Sequence, residues 1–287
     1  MNDKTFFTVT IESAESEQSF IQVFWTWASH LGEAIDKILR ACANMGIESA
    51  LPSEADTYDF ATLPKHAIFN EKLDVHFDQT RYCFPTEKSF LPPKGIIKSC
   101  LDGDFEYELI HEGFDRTKRD DGIYEVELVV ERDKLYPIFN ELIRQLPSIR
   151  VFWVKLAADW EDKDKEEVWV NEDLNTPGSI TDYLMTHSKD TVENGHVTLT
   201  VYSEVGKTNL SIDSHKTIKI LTKSVRMQSK MVRALMKLRF EEASELHSLE
   251  YGYYHWHYRP AKSKARARLI AALKRDGFSA WNPNEAA

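Results

Sequence analysis

The chain has 287 residues, of which 42% are hydrophobic and 29% charged, and its formal net charge is −10. Seven Trp and fifteen Phe exclude a disordered chain, and eleven Gly with ten Pro exclude a fibrous or linker-rich one. No apolar stretch is long enough to cross a bilayer, and the first residues lack the basic start and apolar core of a secretion signal. Three cysteines without CxxC spacing predict thiols in a reducing compartment, and hence a cytoplasmic protein.

The first third of the chain predicts a strand followed by one long helix. Residues 6–12 alternate apolar and polar side chains, as in a strand. Residues 19–44 place apolar side chains at helical spacing, and Gly46 follows directly, which predicts a helix with a left-handed cap. Residues 47–51 are expected to return as a strand, whereas 52–93 show no clear periodicity beyond a short strand at Tyr82–Phe84.

The middle of the chain predicts an antiparallel meander with strands at 95–101, 105–114 and 123–131. Its turns are marked by Asp102-Gly103 and Asp120-Asp121-Gly122, since these residues suit the positive φ of tight turns. A helix is expected from Asp133, as its N-cap, to residue 146. A hairpin at 150–157 and 166–171, a short helix opened by Thr176-Pro177, and a strand at 196–204 follow.

The elements from 123 to 204 follow the order of a ferredoxin-like split βαβ unit. Strands at 209–213 and 217–222, a helix at 225–247, an aromatic strand at 249–258 and a helix at 261–276 complete the chain. The sequence therefore predicts an α+β fold with antiparallel or mixed sheets and helices on one face. We expect two domains, an N-terminal α+β domain at 1–118 and a ferredoxin-like domain at 119–287 that carries a C-terminal β-α-β-α extension.

Charge is distributed unevenly along the chain, because acids are in surplus before residue 213 and bases after it. Such a split indicates an acidic or a basic partner, unless the two parts neutralise each other when packed. Four glutamates share one face if two strands of the meander pair, and like charges so placed repel unless a cation covers them. These glutamates are Glu106, Glu108, Glu125 and Glu127.

A second acidic group surrounds the predicted hairpin tip, where Trp160 and Glu161 lie. We therefore predict a non-catalytic binding protein that captures a basic partner protein through its acidic surface. The sharpest form of this hypothesis is an immunity or inhibitor protein against a toxin that acts on nucleic acid. Sequence does not specify the oligomeric state.

A basic stripe near residue 230 supports an alternative hypothesis. Its members are three or four residues apart and hence share one helix face; they are Lys223, Arg226, Lys230, Arg233 and Lys237. Trp256 and Arg259 follow in an aromatic, basic segment of the kind on which bases stack. The alternative prediction is a nucleic-acid-binding or RNA-processing protein that uses this C-terminal segment.

Histidines support a second alternative. His196-Val197-Thr198 and His215-Lys216-Thr217 resemble the His-x-Thr pairs of 2H phosphoesterases, which implies a histidine-dependent phosphoesterase-like enzyme, although the two motifs lie closer together than in that family. His255 and His257 point the same way on the predicted aromatic strand and would need further ligands to bind a metal. No Gly-rich phosphate loop, nucleophile elbow or HExxH motif is present, so we expect no cofactor, no metal and no catalytic residue.

Overall fold

The computed structural model describes residues 4–14, 19–47, 49–84, 90–98, 110–158, 160–161, 165–250 and 255–281. These residues form an α+β fold with five α-helices, and their strands pair antiparallel in sheets of six, eight and two strands. The α+β class predicted from the sequence is therefore confirmed. None of the helices in these ranges combines the length and the apolar character needed to cross a bilayer.

A six-stranded sheet with one helix against it forms the first unit. Its elements are β1 (Thr5–Ala14), β2 (Ser19–Ala28), α1 (Leu31–Asn44), β3 (Ala50–Thr57), β4 (Ile68–Asn70), β5 (Val75–Phe77) and β6 (Tyr82–Phe84). The strand order is β3-β1-β2-β5-β4, with β6 also paired to β2. Ile35 and Ile38 of α1 pack in one buried cluster with Val9 and Phe24 of the sheet.

The predicted helix at 19–44 is wrong in its first half, where β2 is a strand. Every residue of β2 has a partner on β1, and the segment is rich in aromatic and β-branched residues. Pairing across the hairpin therefore prevails over the helical spacing of the apolar positions. Helix α1 begins after His30, whose side chain accepts a hydrogen bond from the N–H of Glu33. Gly46 follows the helix with φ of 82°, as predicted.

An eight-stranded sheet with its helices on one face forms the second unit. The remaining elements are β7 (Ile96–Lys98), β8 (Gly113–Lys118), β9 (Tyr124–Val129), α2 (Arg132–Gln145), β10 (Val151–Leu156), β11 (Glu167–Asn171), α3 (Pro177–Thr186), β12 (Val197–Ser203), β13 (Thr208–Ile212), β14 (Ile218–Thr222), α4 (Val225–Lys237), β15 (His255–His257), α5 (Arg266–Arg275) and β16 (Ser279–Ala280). The strand order is β16-β11-β10-β12-β13-β14-β9-β8, and β7 pairs with β15 in a separate ribbon. Side chains from α2, α3, α4 and α5 share one buried cluster with the sheet.

The ferredoxin-like arrangement is not confirmed. The elements from β9 to β12 do follow the predicted order along the chain, and Thr176 caps α3 as expected. In the sheet, however, β12, β13 and β14 continue as antiparallel neighbours, so that β9 lies beyond β14 instead of beside β12. Strand β8 pairs with β9 in this sheet although it precedes the predicted domain boundary at residue 118.

The helix predicted at 225–247 ends ten residues early, at Lys237. Arg239 has φ of 69°, and the chain then runs beside β8. There the N–H of Phe114 donates to the carbonyl of Glu241 at 3.0 Å, and the N–H of Ala243 donates to the carbonyl of Phe114 at 2.8 Å. Backbone pairing at the edge of the sheet thus replaces the last turns of the helix.

Two glycines join the ribbon to the second unit. The N–H of Gly195 donates to the carbonyl of Tyr258 at 2.9 Å, and the N–H of Tyr258 donates to the carbonyl of Gly95 at 2.9 Å. A Cβ on Gly195 would lie 1.7 Å from the carbonyl oxygen of Gly95, and Gly95 has φ of 102°. Only glycine allows this approach. Because His196 and His257 are the neighbours of Gly195 and Tyr258, the junction holds these two histidines side by side.

Candidate functional site

A cleft of about 540 Å³ lies between the start of α1, the start of β12 and strand β15. This volume falls within the range of roughly 300–1,000 Å³ that is typical of small-molecule sites. Three of the residues that line the cleft are histidines, His30, His196 and His257. We refer to it below as the histidine cleft.

The structure brings together three of the four histidines singled out in the sequence. The rings of His196 and His257 have centroids 6.2 Å apart, and those of His257 and His215 are 5.3 Å apart. The side chain of His255 lies outside the described part of the chain. Neither Thr198 nor Thr217 lines the cleft, so the His-x-Thr arrangement is not reproduced there.

His196 is a neutral imidazole in the wall of the cleft. Its ring stacks on Trp160 with centroids 5.3 Å apart and planes 7° apart. Burial, together with the charges of Lys216 and Arg259, lowers the pKa of His196 to about 3. The Nδ1 atom is buried without a hydrogen-bond partner in the described part of the structure. The neutral ring can donate a hydrogen bond from one nitrogen and accept one at the other.

Lys216 is a buried lysine beside this cluster, with 2% of its surface exposed. Its Nζ donates to the carbonyls of Asn194, at 2.6 Å, and Val197, at 3.3 Å. Burial lowers the pKa of Lys216 to about 7, although the carboxylates of Asp213 and Glu193 act in the opposite direction. Its ammonium group is thus easily deprotonated in the folded protein.

We expect the free energy of unfolding to rise between pH 7 and pH 9 because of Lys216. The folded pKa of about 7 lies below the ordinary value of 10.5, so the unfolded chain binds more protons in this interval. The contribution is about 2 kcal/mol, since one proton gives up to about 1.4 kcal/mol per pH unit. Urea unfolding at both pH values should show the rise in the wild type, and Lys216→Met should lose it.

Lys207→Met is the matched control for this experiment, because Lys207 is exposed and also has a positive φ. The control should keep the pH dependence of the wild type. An unchanged pH dependence in Lys216→Met would contradict the lowered pKa of Lys216.

An ion pair between α1 and the segment after β15 lies in the histidine cleft. Nε of Arg259 is 2.7 Å from Oδ2 of Asp36, and both side chains are largely buried. Burial raises the pKa of Asp36 to about 7, while Arg259 and Arg40 lower it. Nη1 of Arg259 also donates to the carbonyl of Ser263 at 3.0 Å. Arg259, predicted to contact nucleic acid, is thus engaged within the chain, and Trp256 lines the cleft beside it.

Trp160 and Glu161, predicted to contact a basic partner, support α5. Trp160 is 2% exposed, and the guanidinium of Arg266 lies 6.0 Å from the centre of its ring. Oε1 of Glu161 accepts a hydrogen bond from the N–H of Arg266, the first residue of α5, at 3.1 Å. Since Ala265 offers no side-chain cap, Glu161 supplies the anion that a helix N-terminus favours.

The predicted acidic face is only partly described, because Glu106 and Glu108 lie outside the described residues. Strand β9 pairs with β8, where Asp115 and Thr117 are the cross-strand neighbours of Glu127 and Glu125. Nζ of Lys219 on β14 lies 3.0 Å from Oε1 of Glu127. The chain's own lysine therefore neutralises part of this face, and burial together with Glu127 raises the pKa of Glu125.

Asp213, His215 and Glu250 have ligand atoms within 4.8 Å of one another, but they surround a cation that the chain already provides. Nζ of Lys219 lies 3.2 Å from Asp213 and 3.5 Å from Glu250. Although burial alone would lower it, these carboxylates and that of Glu127 hold the pKa of Lys219 above its ordinary value. The cluster is therefore a salt-bridge network around a lysine.

The basic stripe lies on α4 and at its start, as predicted. Four of its members are exposed, and Lys230 is half-buried with its Nζ donating to the carbonyl of Gln145. Helix α4 contains no acidic residue, and no carboxylate of the described chain forms an ion pair with any member of the stripe. Val126 and Leu128 of β9 share the core with Met231 of α4, so Glu125 and Glu127, which alternate with them, point to the opposite face of the sheet. The basic helix thus does not cover the acidic face.

Sequence reasoning missed His30 and Asp36 of the histidine cleft. The segment around them was interpreted as the middle of one long helix, where a histidine has no special position. Their roles follow from the strand at β2, because it makes His30 the cap of α1 and places Asp36 on the second turn. The dipeptide Ser29-His30 followed by Glu33 was the available signal for a helix start.

No family model, curated protein or solved structure matches this chain.

Proposed function

We propose that the protein binds the phosphate backbone of nucleic acid through the basic stripe of α4. One observation carries the proposal: four exposed cations, three on the acid-free helix α4 and Lys223 just before it, have no carboxylate partner within the described residues. Like charges at i, i+3 and i+4 repel one another, so a polyanion that lies along the stripe is stabilising.

The length of the stripe fits this partner. From Val225 to Lys237 the helix rises about 18 Å at about 1.5 Å per residue. One strand of a duplex carries about five phosphates over that length, at about 3.4 Å each. Flexible Lys and Arg side chains can therefore reach several phosphates at once.

Recognition on this surface is electrostatic and independent of sequence. Trp256 and Arg259, which would supply base stacking, line the histidine cleft and are not members of the stripe. Contacts to phosphates position a protein without reading bases. We therefore expect a Kd of about 10⁻⁴–10⁻⁶ M at physiological salt and a steep loss of affinity as salt is added.

Fluorescence anisotropy with labelled duplex DNA, duplex RNA and single-stranded RNA tests the proposal. We expect binding at 50 mM salt (roughly the low end of the usual range) that follows a log–log salt slope of about −3 to −4, since about four phosphates are neutralised. The triple variant R226E/R233E/K237E should weaken binding at least about 100-fold, because it replaces attraction to phosphates with repulsion. Lys230 is left in place because its ammonium bonds to Gln145.

The triple variant K65E/K72E/K207E is the matched control, because it changes the net charge equally at three exposed lysines outside α4. It should bind nearly as well as the wild type. Equal losses in the two variants, or binding to poly-glutamate in place of the oligonucleotides, would overturn the proposal.

Capture of a basic partner protein by the acidic face has less support. Lys219 pairs with Glu127 on that face, and Trp160 is buried. The surplus of acid before residue 213 nevertheless favours basic over acidic protein partners elsewhere on the surface. We place the proposed activity in the cytoplasm, where nucleic acids are available and cysteines stay reduced.

A further inference from the structure

The six-stranded sheet of the first unit has a face covered by aromatic rings. Val9 and Phe24 pack with α1 on one side of the sheet, so the residues that alternate with them point to the other side. The turn that follows β3 adds Phe60 to this second side. We refer to it as the aromatic face, and its rings are those of Phe6, Trp25, Trp27, Phe60, Phe69 and His76.

Several of these rings contact one another and are nevertheless exposed. The centroid of the Phe60 ring lies 5.0 Å from that of Phe6 and 5.6 Å from that of Trp27. The rings of Phe69 and His76 have centroids 4.6 Å apart. Trp27 is 38% exposed, and Phe60 and Phe69 are each 47% exposed. Contiguous exposed aromatic residues are typical of interaction surfaces, because they bury a large area at a low cost in conformational entropy.

The strands of this sheet contain acids but no basic residue to neutralise them. All six lack Lys and Arg, whereas Glu12, Glu54 and Asp56 lie on them. Asp56 is on the aromatic face, because it pairs with Thr8, whose partner on the other side is Trp25. Glu54, two residues earlier on β3, shares this face. None of the three carboxylates forms an ion pair within the described part of the chain, so the face favours a cationic partner.

We infer that the aromatic face binds a protein segment rich in arginine. Guanidinium groups of the segment lie on the exposed rings of Trp27, Phe60 and Phe69, on which no Lys or Arg of the described residues stacks. Other arginines of the segment pair with Glu54 and Asp56, because a planar guanidinium both stacks on rings and binds carboxylates. This binding is independent of the nucleic-acid site on α4, which belongs to the second unit.

The spacing of the aromatic face suits such a segment. Asp56 and Trp25 lie on either side of Thr8, so their Cα atoms are about 10 Å apart at about 4.8 Å per strand. Side chains on one side of an extended segment are about 7 Å apart. Neighbouring arginines can therefore reach a ring and a carboxylate together.

Three other occupants fit the aromatic face less well. A nucleic acid would stack its bases on the rings, but the carboxylates would repel its phosphates. A second copy of this chain would bring the same carboxylates together across the interface. A neutral oligosaccharide would leave the negative charge of the face unbalanced.

Titration calorimetry with short synthetic peptides tests the inference. The probes alternate glycine with arginine, with lysine, or with citrulline, which is a neutral isostere of arginine. At about 150 mM salt, we expect the arginine peptide to bind with a Kd below about 1 mM. The lysine peptide should bind at least about threefold more weakly, because an ammonium group does not stack on rings as a guanidinium does. The citrulline peptide should bind at least about tenfold more weakly, because it carries no charge.

Substitutions on the aromatic face should weaken binding of the arginine peptide. Trp27→Ala and Phe69→Ala should each weaken it by about 3- to 30-fold, because each removes a ring on which a guanidinium lies. The double variant E54Q/D56N should weaken it by at least about threefold, because two ion pairs are lost. These two carboxylates are not part of the core, so this variant tests the inference even where the loss of a ring destabilises the sheet.

Trp281→Ala is the matched control for the rings, because Trp281 is 51% exposed and lies outside the six-stranded sheet. D120N/D182N is the matched control for the carboxylates, because it neutralises two exposed acids of the second unit. Both controls should bind the arginine peptide as the wild type does. Equal losses in D120N/D182N and E54Q/D56N would overturn the inference, since binding would then follow net charge alone.

Two-dimensional NMR locates the peptide without any variant. The indole N–H signal of Trp27 should shift when the arginine peptide is added, and that of the buried Trp169 should not. Absence of binding at about 10 mM peptide, about tenfold above the expected Kd, or an unaffected Trp27→Ala would contradict the inference. So would a shift of Trp27 with maltoheptaose in place of the peptide, or a wild-type dimer that Trp27→Ala dissociates.

Discussion

Gly195→Ala is expected to destabilise the protein by at least about 3 kcal/mol, at or above the usual range for overpacking. The added Cβ would lie 1.7 Å from the carbonyl oxygen of Gly95, which is a backbone atom and cannot rotate away. Relief requires separating the two hydrogen bonds through Tyr258 that join the ribbon to the second unit. Urea unfolding measures the loss, and the rings of His196 and His257 should lose their mutual contact in NMR spectra.

Gly178→Ala provides the matched control. Gly178 lies in the first turn of α3, and a Cβ there would meet nothing within 4 Å. Alanine is the better helix former by up to about 1 kcal/mol, so this variant should be as stable as the wild type or slightly more stable. Equal stability of the two variants would show that the approach of Gly95 and Gly195 does not hold the ribbon to the second unit.

Arg259→Met is expected to cost about 3–5 kcal/mol at pH 8, because it leaves the carboxylate of Asp36 buried without its cation. The decrease in the free energy of unfolding should be smaller at pH 5. Burial raises the folded pKa of Asp36 to about 7, above its ordinary value of 3.8, and removal of Arg259 raises it further. The folded state therefore binds the additional proton, and stability falls as pH rises from about 4 through 7 and beyond.

The double variant D36N/R259M should recover most of the stability and lose this pH dependence, since no buried charge remains. Arg150→Met is the surface control. Arg150 is about half exposed and pairs with Glu172 at 3.3 Å and Glu204 at 3.7 Å, so its loss should cost less than about 1 kcal/mol. Similar costs for Arg259→Met and Arg150→Met, or no recovery in the double variant, would contradict the role of the buried pair.

Local signals predicted much of the second unit. The hairpin of β10 and β11 and the cap at Thr176 follow from alternation and from Thr-Pro chemistry, which act within a few residues. The order of strands in the sheet depends on contacts between distant segments, and a single sequence gives no information about these. The same limit explains why the sequence predicts a helix at β2. The spacing of its apolar residues fits both a helix and a strand, and only the pairing with β1 selects the strand.

The two candidate sites differ in the same respect, since one is formed by residues close together in the sequence and the other by residues far apart. The basic stripe of α4 was predictable because it depends on the spacing of residues within one helix. The histidine cleft combines α1, the start of β12 and β15, so its members could not be assembled from spacing. His196 and His257 are 61 residues apart in the sequence, and only the close approach of Gly95 and Gly195 makes them neighbours.

The segment that follows α4 protects the margin of the larger sheet. Residues 241–243 bond to Phe114 on the outer strand β8, and the opposite outer strand, β16, has only two residues. A strand of another molecule would therefore find the backbone groups of Phe114 already bonded on this edge of the larger sheet. Since exposed edges are the usual templates for aggregation, this contact opposes edge-to-edge pairing at that end of β8.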